Sequence, residues 1–251
     1  MIAYRGGTIY FPENSMESIR DSIEAFPSTI IELDLQLTRD NQVIAFHDFE
    51  LDLLSNGKGL VRDHDLYQLK QLRLKNPDGS LSHSSISTLE EIFASFPHQQ
   101  FVLDLHENNL LLFKQVMEVV EKFEREKQLV IVSIAKGAIE SFRQLRPGWT
   151  YMASPTETRR FLMAGFLALH RWVPTPSNIM FLPDKLGRLS ILKPALVKEL
   201  KRRGVKVWSC GNYRPYENIN TPEQYREMQR KGIDGVYTDS PRALGLAMSH
   251  P

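Results

Sequence analysis

Glu32 and Asp34 stand two residues apart in Ile30-Ile31-Glu32-Leu33-Asp34-Leu35, a run otherwise made of isoleucine and leucine. In a β-strand that spacing turns both carboxylates to one face and Ile31, Leu33 and Leu35 to the other. Two carboxylates on one face of an apolar strand repel each other and resist leaving water. A hard divalent cation between their oxygens relieves both problems; a strand end open to solvent would relieve them too. The next residues weigh toward a site. Thr38-Arg39-Asp40-Asn41 reads as a turn and Gln42 to Phe46 as a second extended run, which returns His47-Asp48 to the neighbourhood of the acids. Imidazole exchanges protons near neutral pH. Phe101-Val102-Leu103-Asp104-Leu105-His106 repeats the arrangement, with Asp104 and His106 on one face of an apolar run.

These residues need a frame, and the pattern supplies one. Ile2-Ala3-Tyr4 is a short first strand, and Gly6-Gly7 permits an unusual loop after it. Asn14 with Glu17 predicts a capped helix to about Phe26, stopped by Pro27. From Asp48 to about Ser85 the periodicity weakens and turn residues dominate. Ser87 with Glu90 predicts a second capping box and a helix to Phe96. Apolar residues at helical spacing mark Leu110 to Lys127, and helices are expected at about 136–145, 156–169 and 193–203. Leu129 to Ser133, Thr150 to Met152, Ile179 to Leu182, Val205 to Cys210 and Gly235 to Tyr237 read as strands. Thr221-Pro222-Glu223-Gln224 is a strong helix start, and a last helix begins at Pro241. Strand and helix alternate eight times, which predicts an α/β (β/α)8 TIM barrel with a short insertion after the second strand. Residues 1–251 are expected to be one domain, with 48–85 the insertion at the barrel mouth.

Composition narrows the partners. A chain of 251 residues with 42% hydrophobic content can bury one sizeable core, and its net charge of +1 argues against nucleic-acid binding. Arg159-Arg160 and Lys201-Arg202-Arg203 read as solvated helix faces. Cys210 is the single cysteine, so no intrachain disulfide can form. No stretch has the length of a membrane span and no basic-then-apolar leader precedes the first strand, so a cytoplasmic protein without stable membrane insertion is expected. Oligomeric state is not legible. The apolar segment Phe161 to Val173 could form a lip for an acyl chain, but a helix packing on strands explains it better, and exposure of Phe166 and Trp172 would favour the lip.

The motifs resemble those of glycerophosphodiester phosphodiesterases along the whole chain. Glu32 to Asp40 followed by His47-Asp48 carries the closest likeness. Arg5-Gly6-Gly7 stands where that family has His-Arg-Gly, and Pro12-Glu13-Asn14-Ser15 is similar to its Pro-Glu-Asn-Thr. Ser55-Asn56-Gly57-Lys58-Gly59, Ile86-Ser87-Thr88-Leu89-Glu90-Glu91 and Gly232 to Pro241 match three further motifs. Tyr4 departs from the pattern, in place of the family's first catalytic histidine.

The resemblance implies a small phosphodiester substrate, hydrolysed to glycerol phosphate and an alcohol. It places one divalent cation on Glu32, Asp34 and Asp104, the last usually glutamate. An all-oxygen site suits Mg²⁺ or Ca²⁺ best, with Mn²⁺ next. Arg5 matches the phosphate-contacting arginine, Trp208 an aromatic substrate wall, and His47 one of two acid/base histidines. A phenol, with an ordinary pKa near 10, is a poor base at neutral pH. Three outcomes follow for Tyr4: it serves as the acid beside His47, or His106, where the family usually has lysine, supplies the second imidazole, or the site binds a phosphodiester without turnover. A phospholipase-D-like activity on lysophospholipids is a further reading of the same residues.

Overall fold

The computed structural model describes residues 1–213 and 216–249, with side chains to residue 245. The chain runs β1 (Ile2–Ala3), α1 (Met16–Ala25), β2 (Ile30–Leu37), β3 (Val43–Ala45), α2 (Leu66–Leu69), β4 (Ser87–Thr88) and α3 (Leu89–Ser95). It continues through β5 (Phe101–Leu105), α4 (Leu110–Lys122), β6 (Leu129–Val132), α5 (Ala138–Leu145), α6 (Pro155–Phe166) and β7 (Ile179–Phe181). The last third holds β8 (Lys185–Leu186), β9 (Leu189–Ser190), α7 (Pro194–Arg202), β10 (Lys206–Ser209), β11 (Asn212–Tyr213), β12 (Tyr216–Glu217), α8 (Pro222–Arg230), β13 (Gly235–Thr238) and α9 (Pro241–Ser249).

Parallel ladders join β6, β5, β2, β1, β13, β10 and β7 in that order. Single parallel bridges, Ile131 to Tyr151 and Met152 to Ile179, connect β6 and β7 through the segment expected as the fifth strand. An apolar cluster takes one residue from most of these strands, among them Ile2, Val102, Val130, Met152, Ile179 and Trp208. A second cluster holds Ile31, Leu33, Leu35, Leu103 and Leu105 against α3, α4 and α5. The period-2 alternation thus works on both faces of the ladder: helices cover one face, and Glu32, Asp34 and Asp104 lie on the other. β3 folds back antiparallel on β2, and β4 on β3. Residues 48–85 follow with a small core of their own built on Phe46, Leu51, Val61, Leu69 and Leu74.

Local differences from expectation have physical reasons. Ser15, not Asn14, caps α1, its hydroxyl accepting from the Ser18 amide at 3.1 Å, because the Asn14 side chain is drawn to Asp34. Thr88 and Glu91 form the capping box of α3, one residue beyond the expected pair, so that Leu89, Ile92 and Phe93 face inward. Arg203 is not a solvated residue: its guanidinium donates to the carbonyls of Val173 at 2.5 Å and His170 at 2.8 Å and so ties the end of α7 to the turn after α6. In the 161–173 segment only Phe161 is fully buried, whereas Phe166 is 62% and Trp172 83% exposed. Helix packing therefore explains one face of that segment and leaves the other open. Among the described residues no helix is long and apolar enough to cross a membrane.

Candidate active site

The site grows from β2 and β5. Their register sets Asp34 directly beside Asp104, and Glu32 precedes Asp34 on the same face. One oxygen from each of Glu32, Asp34 and Asp104 can be chosen so that all lie within 4.8 Å of one another. Glu32 and Asp34 are each 2% exposed. Burial, with the charges of Asp34 and Asp104 adding to it, raises the Glu32 pKa well above the carboxylate range. Burial also pushes Asp104 up to about 7, and its Oδ1 is buried without a hydrogen-bond partner. Asp34 goes the other way. Burial opposes ionisation, but the hydrogen bond from His106 and the Arg5 charge outweigh it and lower its pKa.

Arg5 is shaped by the turn that ends β1. Its φ of 51° is left-handed, and its backbone N–H donates to Glu32 Oε2 at 2.6 Å. Gly6 follows at φ 80°, where a Cβ would lie 2.6 Å from Ser18 Oγ, so α1 packs directly on this turn. The guanidinium donates to both oxygens of Glu13 at 3.0 Å and to the Tyr4 hydroxyl at 2.7 Å, with Nε 3.4 Å from Asp34. Glu13, Asn14 and Ser15 therefore serve three ends in sequence: one fixes Arg5, one Asp34, and one starts α1. Asn14, itself at φ 56°, donates to Asp34 Oδ2 at 2.8 Å and accepts the Asp34 backbone N–H at 3.1 Å.

His47 and His106 come together from different elements, their ring centroids 4.8 Å apart and nearly perpendicular. His47 Nδ1 lies 2.6 Å from Asp48 Oδ1. His106 Nε2 lies 2.8 Å from Asp34 Oδ1 and 3.9 Å from Asp104. Burial would lower the His106 pKa, but the bond to Asp34 and the two carboxylate charges raise it. Tyr4 completes the near wall. Its phenol pKa is raised by burial despite Arg5 beside it, with Glu32 and Asp34 acting in the same upward sense. The neighbouring cation therefore does not make it a base. Its ring lies 5.5 Å from Tyr216 and 6.4 Å from Tyr237. Trp208 is 4% exposed and meets Tyr237 at 6.3 Å, so it lies behind this wall, within the apolar interior.

Two positioning residues were not singled out from sequence. Asn14 reads from sequence as a helix cap, but its side chain holds Asp34 instead. Gln36 continues the Glu32/Asp34 face by two more residues, and that phase was the available signal. It is buried, and its Nε2 faces the carbonyls of Phe46, His47 and Asp48 at 2.8, 3.0 and 2.7 Å, holding the segment that carries His47. The Ser55–Gly59 motif does not reach the carboxylates; it braces residues 48–85, with the Ser55 hydroxyl donating to the Leu51 carbonyl at 2.7 Å and Asn56 accepting from the Arg73 amide at 2.8 Å. Beyond the carboxylates, a cleft of about 580 Å³ opens between the ends of β2 and β5, lined by Leu37, Asn41, Phe49, Arg62 and Asn109 among others. Phe49 lies 6.4 Å from the His106 ring, which links the cleft to the histidine pair.

Buried acids, a forked guanidinium and paired imidazoles are a recurrent set for phosphate chemistry, and the comparison with known proteins agrees. Residues 5–243 match the Glycerophosphoryl diester phosphodiesterase family. The chain belongs to that family. A glycerophosphodiester phosphodiesterase of Caldanaerobacter subterraneus subsp. tengcongensis is 25% identical over 97% of this chain and 95% of that protein. A lysophospholipase D of Homo sapiens is 26% identical over 96% of this chain and 82% of the other. Among solved structures, a glycerophosphoryl diester phosphodiesterase domain from Mycobacterium tuberculosis superimposes with a TM-score of 0.81 at 23% identity, covering 98% of this chain and 97% of that one. An Oleispira antarctica phosphodiesterase in complex with its product sn-glycerol-3-phosphate gives 0.76 at 21%, covering 99% and 96%. Membership places the chain among phosphoric diester hydrolases, and the structural likeness gives it their fold.

Proposed function

We propose that this protein hydrolyses a glycerophosphodiester to glycerol phosphate and an alcohol, with one divalent cation on Glu32, Asp34 and Asp104. We read residues 1–251 as a single (β/α)8 barrel domain, with 48–85 its insertion. The observation that carries the proposal is the carboxylate trio beside Arg5, with Glu32 and Asp34 buried and Asp104 half-buried, in which Asp104 Oδ1 has no partner. Two raised carboxyls and an orphaned oxygen fit a hard cation, because it removes the repulsion that burial amplifies. Mg²⁺ or Ca²⁺ suits the all-oxygen set, with Mn²⁺ next. When bound, the cation supplies Lewis-acid polarisation of a phosphoryl oxygen.

The chain's own groups supply the rest. Arg5, already fixed by Glu13, presents its positive charge to the phosphoryl group. His47, steadied by Asp48, takes the proton of the attacking water. His106, whose ring meets that of His47 at 4.8 Å, is the imidazole that gives a proton to the leaving alcohol. Tyr4, its oxygen accepting from Arg5, orients the guanidinium and offers its own O–H as a donor. Trp208 backs the aromatic wall through Tyr237.

A second reading concerns the substrate: a lysophospholipase-D-like cleavage of acyl-bearing diesters is favoured by the exposure of Phe166 and Trp172. The assay is glycerol-phosphate release from glycerophosphocholine, and from its acyl-bearing analogue, with Mg²⁺ or Ca²⁺. Wild type is expected to turn over, His106→Ala to lose on the order of 10²–10⁴ in rate, and Tyr4→Phe to lose less. Full activity after both substitutions rejects these roles. A silent wild type with an active Tyr4→His would instead make this a phosphodiester-binding module.

A further inference from the structure

Helix α6 has two unlike sides. Phe161 is fully buried, whereas Arg159, Met163 and Phe166, at helical spacings of four and three, share the opposite face and are exposed. The open face continues past the helix end through Leu167 and Leu169 to Trp172, all more than half exposed. Lys193 Nζ sits 4.7 Å from the Phe166 ring centroid, and the β8–β9 hairpin immediately before it exposes Leu186 and Leu189. Leu196 packs on Gly165, where a Cβ would lie 2.7 Å from it, so α6 and α7 hold this surface together. So many large apolar side chains left exposed along one stretch of chain, residues 163–189, are unusual on a soluble monomer.

Its charge says what covers it. Residues 158–198 contain Arg159, Arg160, Arg171, Lys185, Arg188, Lys193 and Lys198 against one acid, Asp184. All seven bases are exposed, and Asp184 is buried and bound by Lys231 at 2.6 Å. The net charge of the whole chain is only +1, so this basic surplus is concentrated here and balanced elsewhere. Exposed Trp, Phe and Leu fringed by Lys and Arg, with the one acid of the segment buried, match the interfacial layer of an anionic bilayer. We propose that this face, from the end of α6 through Trp172 to the β8–β9 hairpin, docks the protein on anionic lipid membranes. The docking is peripheral, and it holds whichever diester the enzyme cleaves.

Trp172 provides a direct readout, since Trp149 and Trp208 are buried. The experiment uses the full chain with vesicles of phosphatidylcholine alone and of an equimolar mixture with phosphatidylglycerol, read by co-sedimentation and tryptophan emission. Expected are sedimentation with the mixed vesicles, a blue shift with quenching by brominated acyl chains, and weakening as salt rises. Phe166→Ser and Trp172→Ser should each weaken binding roughly tenfold, and Lys185→Glu with Arg188→Glu should abolish the preference for anionic vesicles. Hydrolysis of a water-soluble diester should be unchanged in all of them. Because these side chains are exposed, an unchanged thermal midpoint serves as the folding control. No sedimentation with mixed vesicles at low salt overturns the proposal, as does binding that survives the double substitution Phe166→Ser/Trp172→Ser. Self-association removed by Trp172→Ser, without vesicle binding, would make this face a contact between copies and also overturns it.

Discussion

Replacing Gln36 by methionine keeps the length of the side chain and removes its amide. In the structure a single nitrogen with two hydrogens serves three carbonyls, those of Phe46, His47 and Asp48, at 2.7–3.0 Å. At most two of these bonds are at full strength. Losing them at about 0.5–1.5 kcal/mol each, together with about 1 kcal/mol or more for a stranded buried carbonyl, predicts a loss of about 2–4 kcal/mol in unfolding free energy. Urea denaturation would show it as a lower midpoint at unchanged slope. The catalytic consequence is separable. Residues 46–48 carry His47 to the site, and a displacement of about 1 Å in an acid/base group costs on the order of 10² in rate. We expect kcat to fall roughly 10- to 100-fold with KM nearly unchanged, because the Gln36 side chain bonds to residues 46–48 and not to the carboxylate trio. Metal affinity should stay within a few-fold of wild type for the same reason. A stability loss of the expected size with normal kcat would reduce Gln36 to a structural brace and refute the positioning argument. If neither quantity moved, the hydrogen-bond geometry itself would be wrong.

Two further substitutions or probes test separate parts of the structure. Asn14→Leu should lower stability by about 2–3 kcal/mol, combining left-handed backbone strain with the lost bonds to Asp34; Asn14→Gly should relieve the strain yet leave activity and metal affinity, measured by calorimetry, impaired. Recovery of both by glycine would show that only the backbone matters. Cys210 is fully buried and its thiol is pushed up to about 12 by burial, so at pH 8 the folded chain should not react with Ellman's reagent until denaturant is added. With an unfolded thiol pKa near 8.5, the unfolded state holds fewer protons between about pH 8.5 and 12, and this group's contribution to stability is lost as pH rises through that window. Immediate labelling of native protein, or stability rising with pH there in the wild type relative to Cys210→Ala, would contradict its burial.

The parts of the structure that were legible are those governed by local period. The alternation in Ile30–Leu35 and Phe101–His106 gave both strands, their buried faces, and the common side of Glu32, Asp34, Asp104 and His106. Thr221 with Gln224 formed the expected cap, both partners lying within one helical turn. At Ile86-Ser87-Thr88-Leu89-Glu90-Glu91 two boxes are offset by one residue, and the choice of Thr88 with Glu91 rests on which apolar residues reach the core. Asn14 was misplaced because its partner, Asp34, is distant in sequence, and local propensity does not see it. The Phe161–Val173 segment failed differently: its composition reported hydrophobicity but not which neighbours would cover it. Phe161 found Arg203 and His170 and is buried, while Phe166 meets the lysine at the start of α7 and stays 62% exposed.

Tyr4 and His106 are best understood as one change rather than two. Relative to the family pattern, an imidazole is missing after β1 and an imidazole stands after β5 in place of a lysine. The count of two imidazoles is kept, but the pair now meets across the ends of β3 and β5, at 4.8 Å. A phenol at position 4 could not replace the missing base, since burial and the neighbouring acids raise its pKa despite Arg5. It does hold Arg5, through a 2.7 Å bond and a cation–π contact at 4.7 Å. Arg5 therefore gains a partner that histidine would supply less well, and in the proposed mechanism proton transfer falls to the pair of His47 and His106. On this reasoning Tyr4→His adds a third imidazole at the cost of loosening Arg5, so kcat should change little while KM for the diester rises. A large gain in kcat would instead mean that His106 never took over the role.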